Sequence, residues 1–336
     1  MKLFIHIGLP RTASTFLQKQ IFPYLKADNY YYNPTDLIQV MKKFLDPFVA
    51  PQNNERKSFE DGKKEIDLIL EGYKGATILL SYEGLSMEPW RQNYFNNYLN
   101  LKKMFPFAKI IVMLRYQTDW VLSLYRLSFQ KKVYQSIETF LSFKNGVFED
   151  YEQIPHSLRK RRLNVNELHF PWLVLKYVES FGNENVKLFF FEDFKKDNQK
   201  VVSNILGVIG ADPSIQNFPY FEKKINTSIS AFACMLYRVL FNFFGLFKDI
   251  DALSWTESIK NYPSWKIPFL IIGKSYQYVM RRLINGLLRS VDKIIYWNWD
   301  LMPPKMKDQL DSRYKEENMK LLEVVSRDKI PSGYLT

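Results

Sequence analysis

One cation and three hydroxyls stand together near the start of the chain, in Leu9-Pro10-Arg11-Thr12-Ala13-Ser14-Thr15-Phe16. Residues of these types at this spacing suit the grip of an oxyanion. Ahead of them, Leu3, Phe4, Ile5 and Ile7 read as a short buried strand closed by Gly8, with little alternation, as in a central parallel strand. Behind them, Phe16, Leu17, Ile21 and Leu25 recur at helical spacing. A strand, a hydroxyl-rich turn and a helix N-terminus make an anion cradle. The first helical amides have no internal partner, the helix dipole favours negative charge, and the guanidinium adds donors. An ordinary turn between a strand and a helix has the same outline.

The cradle departs from the G-x-x-x-x-G-K-[ST] loop that holds magnesium nucleotides. Ala13 replaces the second glycine, no lysine follows, and the cation precedes the hydroxyls. The pattern therefore favours a phosphate-like group held without metal.

Other chemically able residues fall at the ends of further predicted strands. Ala76–Leu80, after Gly75, reads as a buried strand ending in Ser81-Tyr82-Glu83-Gly84. Lys109–Leu114 is a third, ending at Arg115, and Asn185–Phe191 a fourth, ending at Glu192. Helices are expected over 35–48, 55–72, 91–105 and 166–181, with Asp119 as N-cap of another running to about Lys131. Pro47, Pro51 and Asn53-Asn54 separate the first two. Strands alternating with helices predict an α/β fold, a three-layer αβα arrangement around a central parallel sheet. Ligands in that architecture bind beyond the carboxyl ends of the strands, where Gly8, Glu83, Arg115 and Glu192 all fall.

The first loop resembles the 5′-phosphosulfate loop of sulfotransferases that use 3′-phosphoadenosine-5′-phosphosulfate (PAPS), a P-loop-related family. The stretch Lys109–Tyr125 resembles the family's second motif, a hydrophobic strand, an arginine and a serine eight residues later. Asn185–Phe194 resembles its late strand ending in Glu-Asp, and Lys223-Lys224-Ile225-Asn226-Thr227-Ser228 its donor-covering segment. These motifs span about residues 1–230, in the family's order. The resemblance implies that Pro10, Arg11, Thr12, Ala13, Ser14, Thr15 and Phe16 hold the 5′ end of PAPS. Arg115 and Ser123 would hold its 3′-phosphate, and Lys224, Asn226 and Ser228 would close over it. Two positions depart from the pattern: Gln117 where proline is frequent, and Trp120 where a second arginine is frequent.

The reaction so implied is sulfuryl transfer to a hydroxyl or amine, with the nucleotide bisphosphate PAP as product. It needs in-line geometry, a base and cations on the sulfate. Arg11 would stabilise the leaving phosphate, and Glu83 is the favoured base, with His6 as runner-up. Glu83 reads equally as an ion-pair partner of Arg11 or Arg115, and His6 as a buried, hydrogen-bonded strand residue. Family analogy suggests a carbohydrate or glycolipid acceptor. The competing readings are a nucleotide kinase and a degenerate member that binds glycans or anions without turnover.

Composition bounds the rest. The chain has 336 residues, 46% hydrophobic and 24% charged, so it is globular and large enough for one extended α/β domain or two domains. Cys234 is the only cysteine, which excludes an intramolecular disulfide and fits a reducing compartment. Three histidines and one cysteine, unclustered, speak against a structural metal, and none is expected. With the first strand at the N-terminus, no signal peptide and a cytoplasmic location are expected. A net charge of +12 favours anionic partners, but its spread along the chain speaks against nucleic acid. His156, His169 and the run Arg159–Arg162 could meet an acidic acceptor, or simply be solvated.

Residues 231–336 read as a helical extension on the 1–230 core. Phe232, Met235, Leu236, Val239, Leu240 and Phe243 follow helical spacing, and 267–273 and 278–288 are apolar but interrupted by Lys274, Arg281 and Arg282. A cap shaping the acceptor pocket is the favoured reading. A basic amphipathic surface over 267–299, lying on the inner face of a membrane, competes with it. A charged helix over 305–326 would dock back through Leu310, Tyr314, Met319 and Leu322.

Overall fold

In the computed structural model the described residues are 1–45, 59–85, 97–130, 133–159, 161–215, 217–219, 221–222, 228–243 and 267–335. The described strands are β1 (Lys2–His6), β2 (Tyr30–Tyr32), β3 (Thr77–Ser81), β4 (Lys109–Leu114), β5 (Phe143–Lys144), β6 (Val147–Phe148) and β7 (Val186–Phe190). β5 and β6 pair as a small antiparallel hairpin, and the other five form a parallel sheet in the order β2-β3-β1-β4-β7. β1 pairs with β3 from Lys2↔Thr77 to His6↔Ser81, and with β4 from Phe4↔Lys109 to His6↔Ile111.

Both faces of the sheet are covered. Phe4, Leu79, Ile111 and Met113 share a core with Leu17, Ile21 and Phe22 and with Val201, Val202, Ile205 and Ile209 of the helix Asn198–Ile209. The alternate residues Leu3, Ile5, Ile78, Leu80, Ile110 and Val112 are just as buried. Two covered faces explain why these strands are continuous apolar runs, and they give the three-layer αβα architecture. The chain leaves β1 toward β2 on one side and β4 toward β7 on the other, so the switch point of the sheet lies between β1 and β4.

Several expectations shift in detail. A fifth sheet strand, β2, is made of three tyrosines on an edge, too short for a two-residue period to register. The helix expected from Asp119 starts at Gln117 (Gln117–Gln130), because Trp120 N already bonds to the Tyr116 carbonyl. Asp119 is thus a first-turn acid facing the dipole, not a cap. The first helix is broken into an α-turn (Ser14–Phe16), a π-turn (Leu17–Ile21) and a 3-10 turn (Phe22–Tyr24) carrying Pro23. The helix expected over 166–181 is Phe170–Phe181, entered through a 3-10 turn at Val165–Glu167.

The chain divides into two compact units, Met1–Val121 with Leu163–Asn226 and Lys307–Thr336, and Leu122–Arg162 with Thr227–Met306. The first holds the sheet. It also takes in the charged helix Pro304–Asn318 from Lys307 on, which buries Leu310 and Tyr314 but ends eight residues before its expected limit, passing into a 3-10 turn at Met319–Glu323. That change of pitch exposes Met319 and puts Leu321 in the core instead. The second unit holds the helices Ala231–Phe243 and Ile267–Ile294 and the β5–β6 hairpin. No helix among the described residues is long and apolar enough to cross a membrane.

Candidate active site

The loop after β1 is built around close approaches. A Cβ on Gly8 would lie 2.2 Å from Ser14 Oγ and 2.8 Å from His6 Nε2, so only glycine lets the chain pass there. Arg11 and Ala13 both adopt left-handed backbone, φ 66° and 64°, which non-glycine residues take at a cost. The hydroxyls of Thr12 and Ser14 donate to the Leu9 carbonyl at 2.5 and 3.1 Å and so tie the turn closed.

Two donors from the β4 side hold the same loop. Trp120 Nε1 donates to the Pro10 carbonyl at 2.7 Å, and Arg115 Nη1 donates to the Arg11 carbonyl at 3.1 Å. In a trans peptide the N–H of the next residue points opposite to the carbonyl. Tying down the carbonyls of Pro10 and Arg11 therefore aims the amides of Arg11 and Thr12 away from these donors, as in an anion-binding nest.

Arg115 caps β4 with its guanidinium 4.6 Å from the centre of the Phe191 ring. Burial disfavours its charge, Asp119 and Glu192 support it, and Arg11 opposes it. The two arginines thus share one electrostatic environment, and a bound anion would relieve their repulsion. Arg115 Nε is buried with no hydrogen-bond partner among the described residues, which suits an anionic ligand. Glu192 is itself fixed, accepting from Tyr116 N at 3.0 Å and from the Tyr334 hydroxyl at 3.1 Å.

Glu83 opens the 3-10 turn Glu83–Leu85 directly beyond β3. Burial raises its carboxyl pKa above the ordinary value, while the Arg11 charge and a hydrogen bond with Ser14 pull it down. His6 is wholly buried, its Nδ1 2.7 Å from Ser81 Oγ, and burial lowers its pKa to about 3. Its Nε2 has no partner among the described residues. His6 is therefore neutral at physiological pH, held by β1 beside the loop.

The remaining expected residues are spread more widely. Thr15 and Phe16 lie on the first helical turn, where the Phe16 ring meets Phe194 and Phe221 edge-to-face at 5.3 and 5.6 Å. Phe16 is thus part of the hydrophobic wall of the sheet layer. Ser123 is buried on the helix after Arg115, in the stretch that belongs to the second unit. Ser228 also belongs to the second unit, and its hydroxyl is buried without a partner among the described residues. Lys224 and Asn226 lie outside the described residues. His169 pairs with Glu317 at 2.7 Å, which raises its pKa.

The two departures from the family pattern have structural uses. Trp120 supports the loop through Pro10 and packs its ring on Phe170. Gln117 exchanges two buried hydrogen bonds with Asn318, at 2.8 and 3.2 Å. Sequence reasoning missed Trp120, Asn318 and Tyr334 as supports, because only the fold brings them to the loop and to Arg115.

Among the solved structures that overlap with the chain are three sulfotransferases. A sulfotransferase from Alicyclobacillus acidocaldarius is 18% identical with a TM-score of 0.44, covering 74% of this chain and 92% of that one. The sulfotransferase domain from the curacin biosynthetic pathway is 15% identical with a TM-score of 0.34, covering 63% of this chain and 75% of that one. The sulfotransferase domain of the Synechococcus PCC 7002 olefin synthase is 12% identical with a TM-score of 0.34, covering 72% and 94%. No protein-family model and no curated protein matches the chain.

Proposed function

We propose that this chain transfers the sulfuryl group of PAPS to a hydroxyl or amine of a carbohydrate or glycolipid acceptor. The observation that carries the reading is the hydrogen bond between Arg115 and the Arg11 carbonyl, which joins the loop after β1 to the end of β4 at the switch point of the sheet. Two phosphate grips at one place suit a nucleotide with a phosphate at each end of its ribose. The residues present fit such a ligand: strained loop backbone, outward amides, and a buried guanidinium with one nitrogen that has no partner among the described residues.

Arg11, Ser14, Thr15 and the loop amides would hold the 5′ end, and Arg115 the 3′-phosphate. The donor supplies a sulfuryl group already activated by its 5′-phosphate. Arg11 offsets negative charge where the phosphate leaves, and Glu83 receives the acceptor's proton. A sulfuryl group carries less negative charge than a phosphoryl group, so Arg11 and Arg115 can serve where phosphoryl transfer calls for magnesium.

Calorimetric titration with PAP, adenosine 5′-phosphate and ATP–magnesium tests the reading. PAP is expected to bind most tightly, and Arg115→Ala to weaken it about tenfold or more, the worth of a charge-assisted hydrogen bond. Preference for ATP–magnesium would favour a kinase. Tight PAP binding without sulfate transfer to any glycan would favour a binding protein.

A further inference from the structure

Among its described side chains, the helix Ile267–Ile294 of the second unit carries two sets of apolar residues, one buried and one exposed. Ile284 and Leu288 are buried, whereas Val279, Leu283, Leu287 and Ile294 are 52%, 61%, 61% and 82% exposed. At about 100° per residue the four exposed residues fall within about 80° of arc, centred about 120° around the helix from the buried pair. Arg282, Arg289 and Lys293, all exposed, run along one border of that stripe. Beyond the helix the chain continues Ile295-Tyr296-Trp297-Asn298-Trp299, with all four large side chains exposed.

This aromatic end is held in place and is not a frayed tail. The Trp297 carbonyl accepts from Phe232 N at 3.1 Å, and Asn298 Oδ1 accepts from Ala231 N at 3.2 Å and Arg126 Nη2 at 2.8 Å. The two indoles meet edge-to-face at 6.1 Å. Trp297 also meets the Phe232 ring at 6.1 Å, yet both indoles stay exposed, which suits a place where one side is apolar and the other wet.

We infer that the face Val279–Trp299 lies on an anionic lipid bilayer, with the aliphatic stripe at the acyl boundary, the tryptophans among the headgroups, and Arg282 and Lys293 on the lipid phosphates. Charge complementarity decides for lipid over a second copy of the chain: the border of the stripe is cationic, the whole chain carries +12, and two such faces would repel. The inference is independent of the nucleotide reading, since none of these residues belongs to the loop or to Arg115.

Vesicle co-sedimentation tests it, comparing pure phosphatidylcholine with an equal mixture of phosphatidylcholine and phosphatidylglycerol. Binding to the mixture is expected, at least about tenfold stronger than to the neutral vesicles, since each surface cation is worth about 1 kcal/mol there. It should fall as salt shortens the screening length from about 10 Å at 0.1 M to about 3 Å at 1 M. Leu283→Ser with Leu287→Ser should abolish binding while the far-ultraviolet circular dichroism stays that of the parent, both positions being exposed. Arg282→Glu with Lys293→Glu should remove the preference for anionic vesicles. Absence of wild-type binding, or binding indifferent to both double variants, overturns the inference. So does a dimer in analytical ultracentrifugation that the Leu283→Ser/Leu287→Ser protein fails to form.

Discussion

Glu83 stands between opposed influences, burial that favours its neutral form and the Arg11 charge that favours its carboxylate. To accept a proton it must be ionised, so turnover should rise with pH through a pKa above the usual carboxylate value. Glu83→Gln should lower kcat about 10²–10⁴-fold and bind PAP at least as tightly, because a carboxylate no longer competes for Arg11. Steady-state kinetics with PAP titration checks this, and unchanged kcat would remove Glu83 as base. His6 makes a different prediction. Its folded pKa, about 3, lies below its ordinary 6.5, so above pH 6.5 neither the folded nor the unfolded chain protonates it. As the pH falls below that value the unfolded chain takes up a proton the fold refuses, and stability drops by about 1.4 kcal/mol per pH unit. Urea unfolding across this window should show a steeper decline for the parent than for His6→Asn. Parallel declines would mean that His6 is protonated in the fold.

At the scale of elements, the loop after β1 is shaped by its neighbours as much as by its own residues. Trp120→Phe keeps the ring on Phe170 but leaves the Pro10 carbonyl without its donor. A loss of about 1–3 kcal/mol in urea unfolding, with weaker PAP binding, is expected. Gly8→Ala should act more locally, because the new methyl displaces Ser14 from its hydrogen bonds with Leu9 and Glu83. PAP affinity should fall about tenfold or more. Gly207→Ala is the contrasting substitution: its Cβ meets nothing within 4 Å inside the helix Asn198–Ile209, so the helix should gain up to about 1 kcal/mol. Equal effects of the two alanines on PAP binding would mean that Gly8 does not shape the loop.

At the scale of the whole molecule, the C-terminal segment supports the β4 end of the site. Asn318 pairs with Gln117, Asp311 accepts from Tyr116 and Thr118, and Tyr334 holds Glu192 beside Arg115. Asn318→Leu leaves a buried Gln117 amide unpaired and should cost about 1–3 kcal/mol. Adding Gln117→Leu should recover part of that loss, since the pair act as one. Urea unfolding of the two single variants and the double variant measures the coupling. Additive losses would show the pair to be independent.

Residues 2–21 were legible as a strand, a tight turn and a helical stretch, though not as one broken into α and π turns, because an apolar run, a glycine and helical spacing act over one or two turns of chain. Lys109–Leu114 ending at Arg115 was legible for the same reason, and with it the parallel αβα sheet. The three tyrosines of β2 were not, since an edge strand that short has no period of its own. Nor did any local pattern mark Trp120 as a support for Pro10, Gln117 as the partner of Asn318, or the half of the Ile267–Ile294 helix that faces water. Apolar spacing tells a helix that it has a greasy face but not what will cover it. That is settled by long-range pairing, through contacts between residues 100 and 200 positions apart that exist only once the sheet has brought its strand ends together.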